Sequence, residues 1–154
     1  MQKTKRMLVV GLTLLGIASS GWAEERGTKD EAKALADRAA AYVAQVGPEK
    51  AFKDFNDKSA AQWRNKDLYV FAYNLKGDCL ANGANSQLVG KNLIDMKDPE
   101  GKPIIREMIA AVGSGSGAVD YNWPHPLTKK IEDKTSYVVK VPNYDGFVGV
   151  GAYR

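Results

Sequence analysis

One lysine, two tyrosines and a tryptophan on two neighbouring β-prone segments near the C-terminus have the types and spacing best suited to chemistry in this chain. Tyr121 and Trp123 share a face with Val119, while Asp120 and Asn122 point the other way, because successive side chains of a strand alternate. The next segment puts Lys134, Ser136 and Val138 on one face and Thr135, Tyr137 and Val139 on the other. A cation for charge, phenol and indole donors for direction and apolar walls for the remainder are the parts of a pocket for a small carboxylate. Aromatic side chains on strands serve more commonly as core, so the grouping alone does not separate a pocket from packing.

Other chemistries lack their residues. His125 is the only histidine and lies between Pro124 and Pro126, which reads as a solvated turn residue. Cys79 is the only cysteine, so no intramolecular disulfide forms, and its apolar surroundings read as a buried small hydrophobe. There is no Gly-rich phosphate loop and no Gly-x-Ser-x-Gly elbow. Asp95, Asp98 and Glu100 do not follow calcium-loop spacing, and Pro99 interrupts them. No carboxylate pair stands out for general acid–base work. No catalytic residue, metal site or cofactor is therefore expected.

Residues 1–23 read as a cleaved secretory signal peptide. Lys3, Lys5 and Arg6 precede an apolar run at 7–17, and small residues lead to Ala23. The run is short of the ~20 apolar residues that span a bilayer. The mature chain is expected to begin at Glu24 and to be periplasmic or secreted. Three of the 22 Lys and Arg residues lie in 1–23 and none of the 18 Asp and Glu residues does, so the net charge falls from +4 to +1. The basic character belongs to the leader, and a nucleic-acid partner is not expected. Residues 24–154 suffice for a single domain around one core.

The elements that must position the cluster are legible from period and punctuation. Thr28 and Glu31 form a capping box, and Ala32, Leu35, Ala36, Ala39, Tyr42, Val43 and Val46 recur at helical spacing. Gly47 ends that helix and Pro48 opens a shorter one through Ala51, Phe52 and Phe55. Residues 68–74, Leu-Tyr-Val-Phe-Ala-Tyr-Asn, predict a strand buried on both faces, returning through Lys76, Gly77 and Asp78 to a second strand at 79–82. Residues 83–101 are loop with one short turn around 86–89. Ile104, Ile105, Met108, Ile109 and Val112 form a third amphipathic helix stopping at Gly113. Three strands follow, at 117–123, 131–141 and 147–153. The layout is α+β: a five-stranded antiparallel sheet with helices on one side.

Several pieces, in this order, resemble the single Cache domain, type two, found in the extracellular part of bacterial chemoreceptors and histidine kinases. They are the 68–77 hairpin, Leu88-Val-Gly-Lys-Asn-Leu93, Asp98-Pro-Glu-Gly-Lys102, Tyr121-Asn-Trp-Pro124, Lys134-Thr-Ser-Tyr-Val138 and Val148-Gly-Val-Gly-Ala-Tyr153. The resemblance implies a PAS-like sheet with a long N-terminal helix on one face and a small-molecule pocket on the other. It also implies that the ligand is a small organic acid. It places Tyr121, Trp123, Lys134 and Tyr137 near that ligand, with Tyr73, Asn82 and Met96 joining from the hairpin and the cover loop. Lys134 and Tyr137 are three apart, so both reach one pocket only if a bulge intervenes. Where many receptor versions carry His-Pro in the second strand, this chain has Asn82 and Gly83. The receptors continue into a membrane helix and an output domain, whereas this sequence ends at Arg154. The expectation is a non-enzymatic, stand-alone sensor or binding module working with a membrane receptor or kinase. The alternative is a ligand-free accessory module that docks on a receptor or redox partner.

Overall fold

The computed structural model describes residues 25–154, so the leader expected at 1–23 lies outside the described residues. Helix α1 spans Lys29–Val46, and both arms of the Thr28–Glu31 capping box are formed. Its buried side is Ala32, Leu35, Ala36, Ala39, Ala40 and Val43. Four alanines in that stripe let the helix lie close to the sheet. Gly47, at φ 87°, turns the chain directly into α2, Pro48–Asn56, with proline in its first turn.

The sheet comprises β1 (Arg64–Asn65), β2 (Leu68–Asn74), β3 (Cys79–Asn82), β4 (Ser116–Pro124), β5 (Ile131–Lys140) and β6 (Gly146–Tyr153). β2 is central: β1 and β3 pair with one edge, β6 with the other, and β5 and β4 follow in order. All pairings are antiparallel. The sequence reading counted five strands. The sixth, β1, is a two-residue segment too short to show a period. Helix α3, Ile104–Ala111, bridges the hairpin and the C-terminal meander.

Strand alternation explains why β2 reads as an unbroken apolar run. Leu68, Val70 and Ala72 face α1 and α2 in one buried cluster, while Tyr69, Phe71 and Tyr73 face α3 in another. β6 does the same, sending Val148, Val150 and Ala152 to the helical side and Phe147 to the α3 side. The sheet therefore has one packed layer on each face, and residues 25–154 contain both.

Cys79 belongs to the α3-side cluster and is a free thiol with 1% exposure. Burial pushes its pKa up to about 11, so ~0.1% is thiolate at pH 8. Iodoacetamide is expected to leave Cys79 unmodified in the folded protein at pH 8 and to label it fully in denaturant, as read by intact mass. Rapid labelling of the native chain would mean that this layer opens readily.

Candidate ligand-binding site

Between the α3 face of the sheet and α3 itself lies a small cavity of ≈ 20 Å³, room for about one water molecule. Its sheet side is Tyr69, Phe71 and Tyr73 from β2, Tyr121 and Trp123 from β4, and Lys134 from β5. Ile104, Ile105 and Met108 form the opposite wall, and Asn82 and Met96 close the sides. The volume is far below the ~300–1,000 Å³ of pockets for drug-sized molecules, so a ligand of several heavy atoms enters only where the α3 wall or the cover loop moves outward.

The structure thus brings together Tyr73, Asn82, Met96, Tyr121, Trp123 and Lys134, drawn from β2, β3, the cover loop, β4 and β5. Tyr137 is the exception. The β4–β5 register runs without a shift from Ser116 opposite Val139 to Pro124 opposite Ile131, so no bulge carries Tyr137 onto the face of Lys134. Tyr137 packs instead against the α1-side cluster, and its expected place at the ligand is corrected by strand alternation.

Lys134 is 1% exposed. Its Nζ donates to the Tyr69 hydroxyl at 2.8 Å and lies 4.3, 4.8 and 5.7 Å from the ring centroids of Tyr69, Tyr153 and Phe71. Among the described residues no carboxylate forms an ion pair with it. Burial is the largest influence on this amine and opposes its charge. The Tyr69 hydroxyl oxygen that accepts from it and the nearby oxygen of Tyr121 favour the charge. Burial pushes the Tyr121 and Tyr73 phenols up, so both stay neutral donors. The site at neutral pH is an ammonium among phenols and ring faces, without a counter-charge from the described residues.

Around this cation the remaining polar groups are mostly committed. The Tyr121 and Ser136 hydroxyls share a hydrogen bond of 2.8 Å, and the Tyr153 hydroxyl donates to the Pro124 carbonyl at 2.8 Å. Two glycines missed by the sequence reading make room for the floor. A Cβ at Gly149 would collide with the Phe71 ring, and one at Gly151 with the Lys134 stem and the Ser136 hydroxyl. Glycine at alternate positions of an otherwise apolar strand is the available signal of such close approach. Tyr69 was also missed as a site residue, although its parity with Tyr73 on β2 was enough to find it.

The cover is pinned by carboxamide and carboxylate side chains. Asn82 Oδ1 accepts the backbone N–H groups of Ala84 and Asn85, which starts the cover loop. Asp98 accepts from Asn122 on β4 at 3.0 Å and from Glu100 and Lys102 within the loop. Those amides, Asn122 first, hold its carboxyl below the ordinary aspartate value against the opposing effect of burial. Of the acidic residues considered for calcium, Asp98 is therefore a loop fastener that spends its oxygens on backbone N–H groups, and Asp95 pairs with Arg106 at 2.6 Å.

His125 departs from the expectation of a solvated turn residue. It is 2% exposed, and its Nδ1 accepts the N–H groups of Leu127 and Thr128, both at 3.3 Å. That arrangement leaves the proton on Nε2, which donates to Asp67 Oδ2 at 3.2 Å. Asp67 is equally buried and takes the Gly27 N–H on Oδ1 at 2.6 Å. The His125 ring also packs edge-on against Tyr153, 4.7 Å between centroids. Among the described residues no three His, Cys, Asp or Glu side chains converge as metal ligands.

Comparison with known proteins points the same way as the architecture. The sensor histidine kinase MctS of Rhizobium johnstonii is 29% identical over 153 residues, covering 99% of this chain and 30% of the kinase. The methyl-accepting chemotaxis protein CtpM of Pseudomonas aeruginosa is 34% identical over 85 residues, covering 54% of this chain and 15% of the receptor. The chain thus spans less than a third of the length of these relatives. Among solved structures, a methyl-accepting chemotaxis protein from Vibrio parahaemolyticus superposes with a TM-score of 0.71 at 26% identity, over 81% of this chain and 87% of the other. A structure described as the basis for carboxylic acid recognition by a Cache chemosensory domain gives 0.63 at 26% identity, over 80% and 86%. Cache domains of such receptors are extracellular or periplasmic sensors, and no helix among the described residues is long and apolar enough to cross a membrane. The model of the family named Single Cache domain 2 matches residues 3–154, and with a PAS-like sheet, a long N-terminal helix and a cavity on the opposite face, this chain belongs to that family of sensory domains.

Proposed function

We propose that this domain captures a monocarboxylate of two to four carbons between β2, β4, β5 and α3, where the small cavity opens by outward movement of α3 or the cover loop, outside the cytoplasm after removal of the leader at 1–23. The observation that carries the reading is Lys134, a buried ammonium with a phenol and ring faces around it and no carboxylate paired with it among the described residues. Burying an uncompensated charge costs several kcal/mol, and an anionic ligand offsets that cost. The apolar wall of Ile104, Ile105 and Met108 suits a short alkyl tail, and the Trp123 indole and Tyr73 hydroxyl suit the carboxylate rim. A neighbouring Cache domain described as recognising carboxylic acids supports the same class. An outer cleft lined by Tyr69, Asn82 and Trp123 as well as Lys58 and Lys129 provides a cationic approach to the cavity. The occupied state would be read by a membrane receptor or kinase partner.

A thermal-shift screen tests this. A short-chain acid is expected to raise the melting temperature, by about 2.7 kcal/mol of added stability at a hundredfold excess over Kd. Amines of the same size are expected to have no effect. A flat response across short-chain acids would overturn the proposal.

A further inference from the structure

We infer that the β4–β5 turn, residues 125–131, is a docking tip for an anionic lipid bilayer surface. Leu127 and Ile131 are the large apolar side chains left exposed among the described residues, at 56% and 52%. They bracket Lys129 and Lys130, both exposed, and residues 125–131 contain no Asp or Glu. Two apolar side chains set among ammonium groups match a lipid interface, where the cations meet phosphates and the alkyl groups enter the acyl boundary.

The tip is held in a fixed shape. His125 N–H donates to Lys130 O at 2.8 Å and Lys129 N–H to His125 O at 3.0 Å. The buried imidazole ties the turn to Asp67. Lys129 sits at φ 62°, in the left-handed region that favours glycine or asparagine. The turn thus keeps a cation where its backbone would be more easily served by another residue, and it does so at an exposed position.

Its place in the fold argues for a membrane as the occupant. β6 ends with Tyr153 opposite Lys134, so β4 and β5 continue past the end of β6 and the turn projects beyond it. Both ends of the described chain meet the root of this hairpin. Arg26 Nη1 reaches Glu132 at 2.6 Å, and Arg154 N–H donates to Asp133 O at 2.9 Å. Upstream in the sequence lies the apolar run at 7–17, and residues 18–24 can span at most ~25 Å between it and Glu25. Before the leader at 1–23 is removed, a bilayer that holds that run lies within reach of the tip, so the tip meets a membrane surface during export. Of the nearby acidic groups, Glu132 is met by Arg26 and Glu25 lies 3.9 Å from Lys66, which leaves Asp133 as the one without an ion pair among the described residues.

The test is co-sedimentation of residues 24–154 with vesicles of phosphatidylcholine, with and without phosphatidylglycerol. Binding is expected to the phosphatidylglycerol vesicles and to weaken with salt. Lys129→Gln and Lys130→Gln are expected to weaken it about fivefold each. The double substitution Leu127→Ser with Ile131→Ser is expected to weaken it about tenfold or more. All four positions are exposed, so melting temperatures should be unchanged, which keeps loss of binding distinct from loss of fold. No association with phosphatidylglycerol vesicles, equal association with pure phosphatidylcholine, or binding indifferent to these substitutions overturns the inference.

Discussion

Lys134→Met is expected to abolish carboxylate binding while leaving the unliganded domain as stable as before, or more so. The two halves of that outcome have one cause. Methionine fills the space of the lysine stem against the rings of Tyr69, Phe71 and Tyr153 and makes favourable sulfur–aromatic contacts there. It removes a buried charge that no carboxylate of the described residues pairs with, and replacing buried charge by a well-packed apolar side chain is commonly neutral or stabilising. The loss on the protein side is one hydrogen bond to the Tyr69 hydroxyl, which retains the Tyr153 hydroxyl 3.5 Å away. The ligand loses its counter-charge in a dry site, worth about 2–5 kcal/mol, so affinity should fall about 30- to 5,000-fold. Calorimetric titration with an acid identified by thermal shift reads the first half, and melting of the free protein reads the second. Undiminished affinity would remove Lys134 from the site. A collapse in stability without ligand would make it an internal strut whose partner is the phenol cluster.

How much of this could be read in advance differs from residue to residue. The capping box at Thr28, the Gly47–Pro48 junction and the bounds of β2 and β3 follow from local rules, and local rules sufficed for them. Parity on β4 and β5 separated the face of Tyr121, Trp123 and Lys134 from that of Tyr137. Trust in that arithmetic over the resemblance would have removed Tyr137 from the site. β1 was invisible because two residues carry no period, and its existence depends on the turn at Lys66, whose φ is 58°. The hydrophobic pattern identified α3 as an amphipathic helix, but not that its apolar side would be one wall of a cavity rather than packed core. His125 was misjudged for a related reason. A histidine between two prolines is usually solvated. Its burial here depends on Asp67, 58 positions earlier in the chain, and no local pattern announces such a partner.

Asp67→Ala is expected to be among the most destabilising single substitutions in this domain, because one carboxylate satisfies two buried donors from distant segments. Oδ1 takes the Gly27 N–H just before the Thr28 cap of α1, and Oδ2 takes Nε2–H of His125 at the end of β4. Both side chains of the pair are at most 1% exposed. Removing the acceptor strands the two donors away from water at about 1–3 kcal/mol each, and breaking a buried pair costs about 3–5 kcal/mol in comparable settings. A loss near 3 kcal/mol corresponds to a fall of about 10–15 °C in melting temperature for a domain of this size. Asp67→Asn provides the contrast. Its carbonyl oxygen can still accept from Gly27, but its amide then faces the imidazole N–H donor to donor, so roughly half the loss should remain. His125→Ala in the Asp67→Ala background should add little, since the two share one interaction, and the double-mutant cycle isolates that coupling. The consequence reaches the cavity, because the His125 ring packs on Tyr153, whose hydroxyl lies 3.5 Å from the Tyr69 hydroxyl that accepts from Lys134. Amide exchange at Gly27 and Thr128 should accelerate together in Asp67→Ala. A melting temperature within about 2 °C of the parent, with exchange at both amides unchanged, would mean that water or a rearranged turn satisfies the two donors and that the start of α1 does not depend on the β4–β5 end of the sheet.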